Sequence, residues 1–528
     1  MTAHLTFHIG LGRALACAFP LLCAGPIPDA SAQAPAQSFE LMEATIPQLQ
    51  AALAAGTITS KGLVTAYLAR IEAYDKRGPA LNAISVLNGK ALDEAAARDA
   101  ERRAGAMRGL LHGIPIIVKD NYETADMQTA DGSLALAGWV PPDDSTLVKK
   151  LRATGAIIIA KSNMHEFAYG ITTVGSLFGA TRNPYAPDRN PGGSSGGTGA
   201  AVAANFAAVG MGSDTCGSIR IPASHNSLVG IRGTQGLASR TGIIPLSSTQ
   251  DIGGPIGRTV TDVAIVLDAI VGYDSTDPQT AASVGNIPKS YTDFLQLTGL
   301  RGARIGLLTD LLGSDSADAE VATIVRAATD EMKRPGAEVV AVTIPRLNEY
   351  LPAPPVPPVP SMVIRSDFKF DLNAYLAARP SAPVRTLEEV LASGKYAKAV
   401  ETNLRASQAV ESRDTKEYLR DIVMRGTLRE AILQVMANNN LDALAYPTIR
   451  RKANVIGEAQ LGTNCRLSAI SGLPAIMVPG GFTPDGLPVG VELLGRAWSE
   501  PQLIKIAYAY EQATHHRRPP ASTPALGR

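Results

Sequence analysis

Gly113-Ile114-Pro115-Ile116-Ile117-Val118-Lys119-Asp120 is an apolar, mostly β-branched run that stops at a charge. Residues 114–118 lack the polar alternation of a half-exposed strand, and a strand buried on both faces needs none. Residues 156–160 repeat the pattern as Ala156-Ile157-Ile158-Ile159-Ala160. Working outward, runs at 305–308, 338–343, 441–446, 475–478 and 489–494 read as further strands, with helical stretches at 317–333, 426–436 and 500–513 between them. Towards the N-terminus, Leu49 and Leu53, then Leu63, Tyr67, Leu68 and Ile71, fall on i, i+3/i+4 faces. Thr59-Ser60 supplies an N-cap for the second of these helices, and the alanine-rich charged segment 91–106 reads as a helix with an exposed face. Strands alternating with helices place the chain in the α/β class, with a largely parallel or mixed sheet. No internal repeat is visible.

At 528 residues, length alone would suggest roughly two to four domains. The proline cluster at 352–360 reads as a linker or as an irregular surface loop; the loop fits better, because strands of the same pattern continue after it. With 45% hydrophobic and 18% charged residues and a net charge of +1, the composition is that of a globular domain with no electrostatic case for nucleic acid or a membrane surface. The first residues read as a secretory signal: Arg13 precedes an apolar stretch at 14–22, too short to span a bilayer, and Ala30-Ser31-Ala32 offers a cleavage site before Gln33. No membrane anchor is expected, since Pro20-Leu21-Leu22-Cys23 lacks the small residue of a lipoprotein site. Cleavage removes Cys17 and Cys23 and leaves Cys216 and Cys465, whose separation of 249 positions leaves open whether they pair or stay free. His165-Glu166-Phe167-Ala168-Tyr169 begins like a zinc-binding helix but has tyrosine where the second histidine must fall, so no metal is expected.

Two small-residue stretches carry the chemistry. Gly192-Gly193-Ser194-Ser195-Gly196-Gly197 formally contains a G-x-S-x-G elbow. That elbow must follow an apolar strand, and residues 181–191 hold three prolines instead. A flexible Gly/Ser linker is disfavoured because a small-residue helix follows at 198–208. A phosphate cradle would want a lysine after it, and none is there. In Gly212-Ser213-Asp214-Thr215-Cys216-Gly217-Ser218-Ile219-Arg220, the N–H groups of Thr215, Cys216, Gly217 and Ser218 form a row suited to a developing oxyanion. Asp214 and Arg220 flank that row and read as a pair that braces the turn, or as an incidental ion pair in a polar loop. Cys216 is a rival nucleophile with no histidine close in sequence to activate it. Lys119 would ordinarily reach from a strand end into solvent. Held in a dry site it would lose its charge, and acting as a base near neutrality needs a pKa fall of roughly three units from about 10.4, a differential of about 4 kcal/mol.

Together these segments resemble the amidase signature family, whose catalytic set is Ser–cis-Ser–Lys. On that resemblance Lys119, after the Gly-Ile-Pro run, is the base; Ser194 is the relay hydroxyl, behind a cis peptide; and Ser218 is the nucleophile. Cys216 departs from the glycine or alanine usual there. The likeness extends through Lys161-Ser162-Asn163-Met164-His165-Glu166-Phe167, Phe178-Gly179-Ala180-Thr181-Arg182-Asn183-Pro184, Asp251-Ile252-Gly253-Gly254-Pro255 and Gly486-Leu487-Pro488-Val489-Gly490-Val491, and is weakest between about 286 and 440. It implies one large α/β domain, a central mixed sheet covered by helices on both sides. The layout is then a signal peptide over 1–32, a linker over 33–40, an amidase domain over 41–520 and a tail over 521–528.

The implied activity is hydrolysis of a carboxylic amide through an acyl-enzyme, releasing ammonia or an amine, with no metal or cofactor and with a small-molecule or peptide amide as the partner. Phe167, Tyr169 and Ser195 are candidates to line the substrate pocket. Leu81-Asn82-Ala83-Ile84 and residues 367–376 look most like bacterial peptide-amidase-type members, which act on C-terminal carboxamides. Aryl-acylamide, carbamate or ester hydrolysis by the same three groups is the rival. Export to the periplasm or beyond, with cleavage near Ala32/Gln33, argues against the tRNA-dependent amidotransferase subunit of this family. Two other readings stand apart: an esterase pairing Ser194 with His225 or His515, and a catalytically silent binding protein on the same fold.

Overall fold

The computed structural model describes residues 39–351 and 361–527. The expected signal peptide with Cys17 and Cys23, the linker up to Ser38 and the proline cluster 352–360 lie outside the described residues.

Pleating sorts the opening run onto two buried surfaces. Ile116 and Val118 join one apolar cluster with Ile158, Met211 and helix residues such as Val263 and Val266. Ile117 joins another, with Ile157, Ile159, Ala200 and Ala204. Both faces of this strand are therefore covered, which is why its sequence needs no alternation. The same pleat sends Lys119, at the strand's end, out on the side of Ile117, towards the helix Gly196–Ala203.

Among the described residues, eleven strands form the main sheet: β1 Ile84–Leu87, β2 Pro115–Lys119, β3 Ile157–Ser162, β4 Val209–Asp214, β5 Val229–Arg232, β6 Ile252–Gly257, β7 Arg304–Leu308, β8 Glu338–Val342, β9 Ala443–Tyr446, β10 Ala475–Phe482 and β11 Pro488–Leu494. Their order across the sheet is β1-β3-β2-β4-β6-β5-β10-β11-β9-β7-β8. The strand β2 runs parallel to β3 and to β4, and β7 runs parallel to β8 and to β9. The remaining pairs are antiparallel, so the sheet is mixed and helices cover it on both sides within one domain.

The expected helices are present as Ile46–Ala54, Ser60–Tyr74, Ala91–Arg103, Ala319–Lys333, Lys416–Asn438 and Glu500–Thr514. Thr59 caps the second, its side chain accepting from Gly62 N–H at 3.0 Å. The chief departure is at the centre of the sheet. The strands β4, β5 and β6 carry no β-branched run, and β4 and β6 are rich in glycine, so their periodicity is invisible. Contact explains the glycines: a Cβ at Gly210 would lie 2.4 Å from Thr198 Cγ2, and one at Gly254 would lie 2.6 Å from the Ile231 carbonyl. Helix and neighbouring strand press onto bare backbone there.

Candidate active site

Three loops meet at the C-terminal edge of β2 and β4. Lys119 closes β2, Ser194 leads into the helix Gly196–Ala203, and Ser218 lies in the turn between β4 and the helix Arg220–His225. The parallel register Val118↔Met211 brings the ends of β2 and β4 to the same height. Ser195 N–H donates to the Ser218 carbonyl at 3.2 Å and so ties the two serine loops together. The Gly193–Ser194 peptide is cis.

Lys119 does not reach solvent; it is wholly buried. Its Nζ lies 2.7 Å from Ser194 Oγ and 2.8 Å from Ser213 Oγ, with the Ser213 carbonyl at 3.5 Å. Burial lowers its pKa to about 7, against the opposing pull of the Asp131, Asp251 and Asp214 carboxyls. Ser194 therefore answers to a lysine and not to a histidine. His225 turns its Nε2 to the Arg451 carbonyl at 3.3 Å, and burial lowers its pKa to about 4. Among the described residues no hydrogen bond joins Ser218 Oγ to Ser194 Oγ.

The turn that carries Ser218 is braced by buried charge. Arg220 donates from Nε to Asp214 Oδ2 at 3.1 Å and from Nη2 to Asp214 Oδ1 at 3.2 Å. Arg220 Nη1 meets Glu492 Oε1, and Arg232 Nη1 lies 3.0 Å from Asp214 Oδ1. Burial would raise the Asp214 carboxyl, but Arg220 and Arg232 outweigh it and hold it well below the usual carboxylate range. Arg220 is correspondingly raised: Asp214 and Glu492 overcome its own desolvation.

Four expectations change. Gly217 N–H donates to Asp214 Oδ1 at 2.7 Å, a charge-assisted bond that removes it from the oxyanion row. Thr215, Cys216 and Ser218 keep their N–H groups out of the turn's own hydrogen bonding. Cys216 is no free thiol: it forms a disulfide with Cys465, with their Cα atoms 5.2 Å apart, which rules it out as a nucleophile. Ser195 is an internal strut, its Oγ donating to the Ser213 carbonyl at 3.2 Å and accepting from Ser213 N–H at 3.3 Å. Phe167 and Tyr169 are core: both rings pack on Phe368, and Tyr169 Oη lies 2.7 Å from Ser407 Oγ. A cavity of about 190 Å³ borders Ser213, Asp251, Ile243, Tyr375 and Arg379, and none of those three pocket candidates lines it.

Sequence reasoning passed over Ser213, Asn121, Arg232 and Glu492. Asn121 Nδ2 donates to Ser213 Oγ at 2.9 Å, completing a polar cradle around the lysine. Ser213 lies within the stretch 212–220, and pairing β4 with β2 points to it. Arg232 and Glu492 come from strands distant in sequence and gave no such signal.

The arrangement offers a desolvated amine, a hydroxyl at hydrogen-bond distance, a second hydroxyl on a braced turn, and unspent backbone donors beside it. The chain matches the Amidase family over residues 62–504. The native peptide amidase of Stenotrophomonas maltophilia is 40% identical, with 93% of this chain and 100% of that one covered and a TM-score of 0.83. A glutamyl-tRNA(Gln) amidotransferase subunit from Moorella thermoacetica is 36% identical over 493 residues, 91% of this chain and 99% of that protein. A bacterial aryl acylamidase of the amidase signature enzymes is 25% identical, covering 89% and 96%, with a TM-score of 0.76. The chain thus belongs to the amidase family and is an amide-hydrolysing enzyme.

Proposed function

We propose that Ser218 is the nucleophile, Ser194 the proton relay and Lys119 the base, and that the substrate is the C-terminal carboxamide of a peptide. The observation that carries this is a fully buried amine, its pKa lowered to about 7, standing 2.7 Å from Ser194 Oγ. As Ser218 Oγ attacks the carbonyl carbon, its proton passes to Ser194 Oγ, and the Ser194 proton passes to Lys119 Nζ. The oxyanion rests on the N–H groups of Thr215, Cys216 and Ser218. Ser194 then returns a proton to the leaving nitrogen, ammonia departs, and water cleaves the acyl-enzyme by the same relay in reverse. Substrate binding closes the gap between the two hydroxyls; nucleophile contacts are commonly long in uncomplexed enzymes.

The carboxamide reading is supported by the 40% identity to a peptide amidase across nearly the whole chain, against 25% to the aryl acylamidase. The purified protein, without partner subunits, is expected to release ammonia from peptide amides faster than amines from anilides or carbamates. Failure across that panel, with Ser218 unlabelled by a fluorophosphonate, would overturn the reading.

We further propose that residues 41–520 form the catalytic domain and that the protein is exported with cleavage near Ala32/Gln33. The Cys216–Cys465 disulfide supports export, since such bonds persist in oxidising compartments. N-terminal sequencing of protein recovered outside the cytoplasm tests the cleavage site.

A further inference from the structure

Cys216 stands in the middle of the turn assigned to the oxyanion, and its side chain makes one bond, to Cys465. The far end of that bond is firmly seated. Cys465 precedes the helix Arg466–Ser471, and its neighbour Asn464 fixes the segment to the end of β9. Asn464 N–H donates to the Thr448 carbonyl at 3.0 Å, and its Nδ2 donates to the Pro447 and Leu311 carbonyls, each at 2.8 Å. Arg220 Nη2 adds a contact to the Cys465 carbonyl at 3.3 Å. The two segments also touch directly: a Cβ on Gly217, whose φ is +98°, would lie 2.5 Å from Cys465 Cβ.

Elsewhere the turn is held at Asp214, which accepts from Gly217 and Ile219 N–H, and at Thr215, whose hydroxyl donates to Asp251 at 2.5 Å. Cys216 lies between these anchors. Its amide is one of the three unspent donors. Cys465 is buried and Cys216 only partly so, which makes Cys216 the side on which exchange would begin.

We propose that the Cys216–Cys465 disulfide is a positioning bond for the oxyanion turn and that its reduction reversibly slows the enzyme. This rests on the assignment of Ser218 as nucleophile. The chemistry is thiol–disulfide exchange. A dithiol's thiolate attacks Cys216 Sγ, the S–S bond breaks, and Cys465 leaves as a thiolate that takes up a proton. The second thiol of the reagent then displaces Cys216 as a thiol and closes the reagent's own disulfide. Two electrons and two protons pass from reagent to protein.

The test uses the mature chain, folded, before and after treatment with dithiothreitol, with thiol content verified by alkylation and mass. Three quantities are read: kcat and KM on a peptide amide, the rate of fluorophosphonate labelling, and Tm. Reduction is expected to lower kcat and the labelling rate about tenfold, below the 10²–10³ of losing a whole oxyanion donor. KM should stay within about twofold, and oxidised glutathione should restore the rate. Cys465→Ala should show the same loss and no further response to the dithiol.

Full activity in verified reduced protein would overturn the proposal. So would a loss of kcat that merely tracks an unfolded fraction seen in the melting curve. If Cys465→Ala does not fold, the reduction of folded wild-type protein decides alone. Ser218→Ala and Lys119→Met run in parallel keep the two readings apart: activity in either overturns the catalytic assignment, whereas their silence beside an unaffected reduced enzyme overturns only the disulfide's role.

Discussion

The ends of β2 and β3 each bury a lysine, and the two are solved differently. Lys119 is surrounded by hydroxyls, from Ser194 and Ser213. Lys161, one strand away on the rung of Val118, donates to the Tyr122 carbonyl and to Thr129 Oγ1, both at 2.6 Å, with Asp120 Oδ1 at 3.7 Å. Burial pulls both pKa values down, Lys119 to about 7 and Lys161 to about 8, where Asp120 is the leading counterweight. Partners decide the use. The carbonyl and the carboxylate have no proton to offer an amine, and the Thr129 hydroxyl donates its own to the Tyr122 carbonyl at 3.2 Å, so Lys161 can only brace. Hydroxyls both accept and donate, so Lys119 can receive a proton and hand it back.

Deleting the amine at Lys119 tells the two lysines apart most clearly. Lys119→Met should lower kcat/KM by at least about 10⁴-fold, the scale of removing a member of a coupled catalytic set. Its Tm at pH 7 should be no lower than that of wild type, because a desolvated amine with a depressed pKa is a standing cost to the fold. An active Lys119→Met would end the distinction.

Lys161→Met should fail in the opposite way. Removing one partner of a buried pair leaves Asp120 unmatched, costing about 3 kcal/mol in denaturant unfolding, while the molecules that remain folded keep kcat within a few fold. The pH profile separates the lysines again. Only the deprotonated Lys119 can accept, so kcat/KM should fall about tenfold per unit below its pKa of about 7. Between there and the ordinary lysine value of 10.5 the unfolded chain binds the extra proton, so Lys119's contribution makes stability rise with pH across that window. The smallest effect is expected from Ser213→Ala, which leaves Lys119 its Ser194 contact and should cost only several-fold in kcat.

Much of this was legible in the sequence for a physical reason. A strand buried on both faces must be apolar throughout, so β2 and β3 announced themselves, and the lysine ending β2 was conspicuous against that background. The central strands β4 and β6 were silent because close backbone contact demands glycine, which erases the side-chain signal. The brace of Arg232 and Glu492 was equally hidden, since ion pairs across a sheet depend on strand order and not on spacing along the chain. Ser195 misled for a related reason: next to Ser194 it looked like pocket, but at the mouth of a helix its hydroxyl faces the neighbouring strand.

One feature of the turn that carries Ser218 bears on how the protein meets acid. The ionised Asp214 clasp contributes stability that is present above the unfolded carboxyl value of about 3.9 and is given up only as pH drops through its much lower folded value. Lys119 takes on its proton some three units earlier in the descent. Mild acid should accordingly idle Lys119 while the Asp214 clasp stays shut, and neutralising protein that has stayed folded should restore turnover at once.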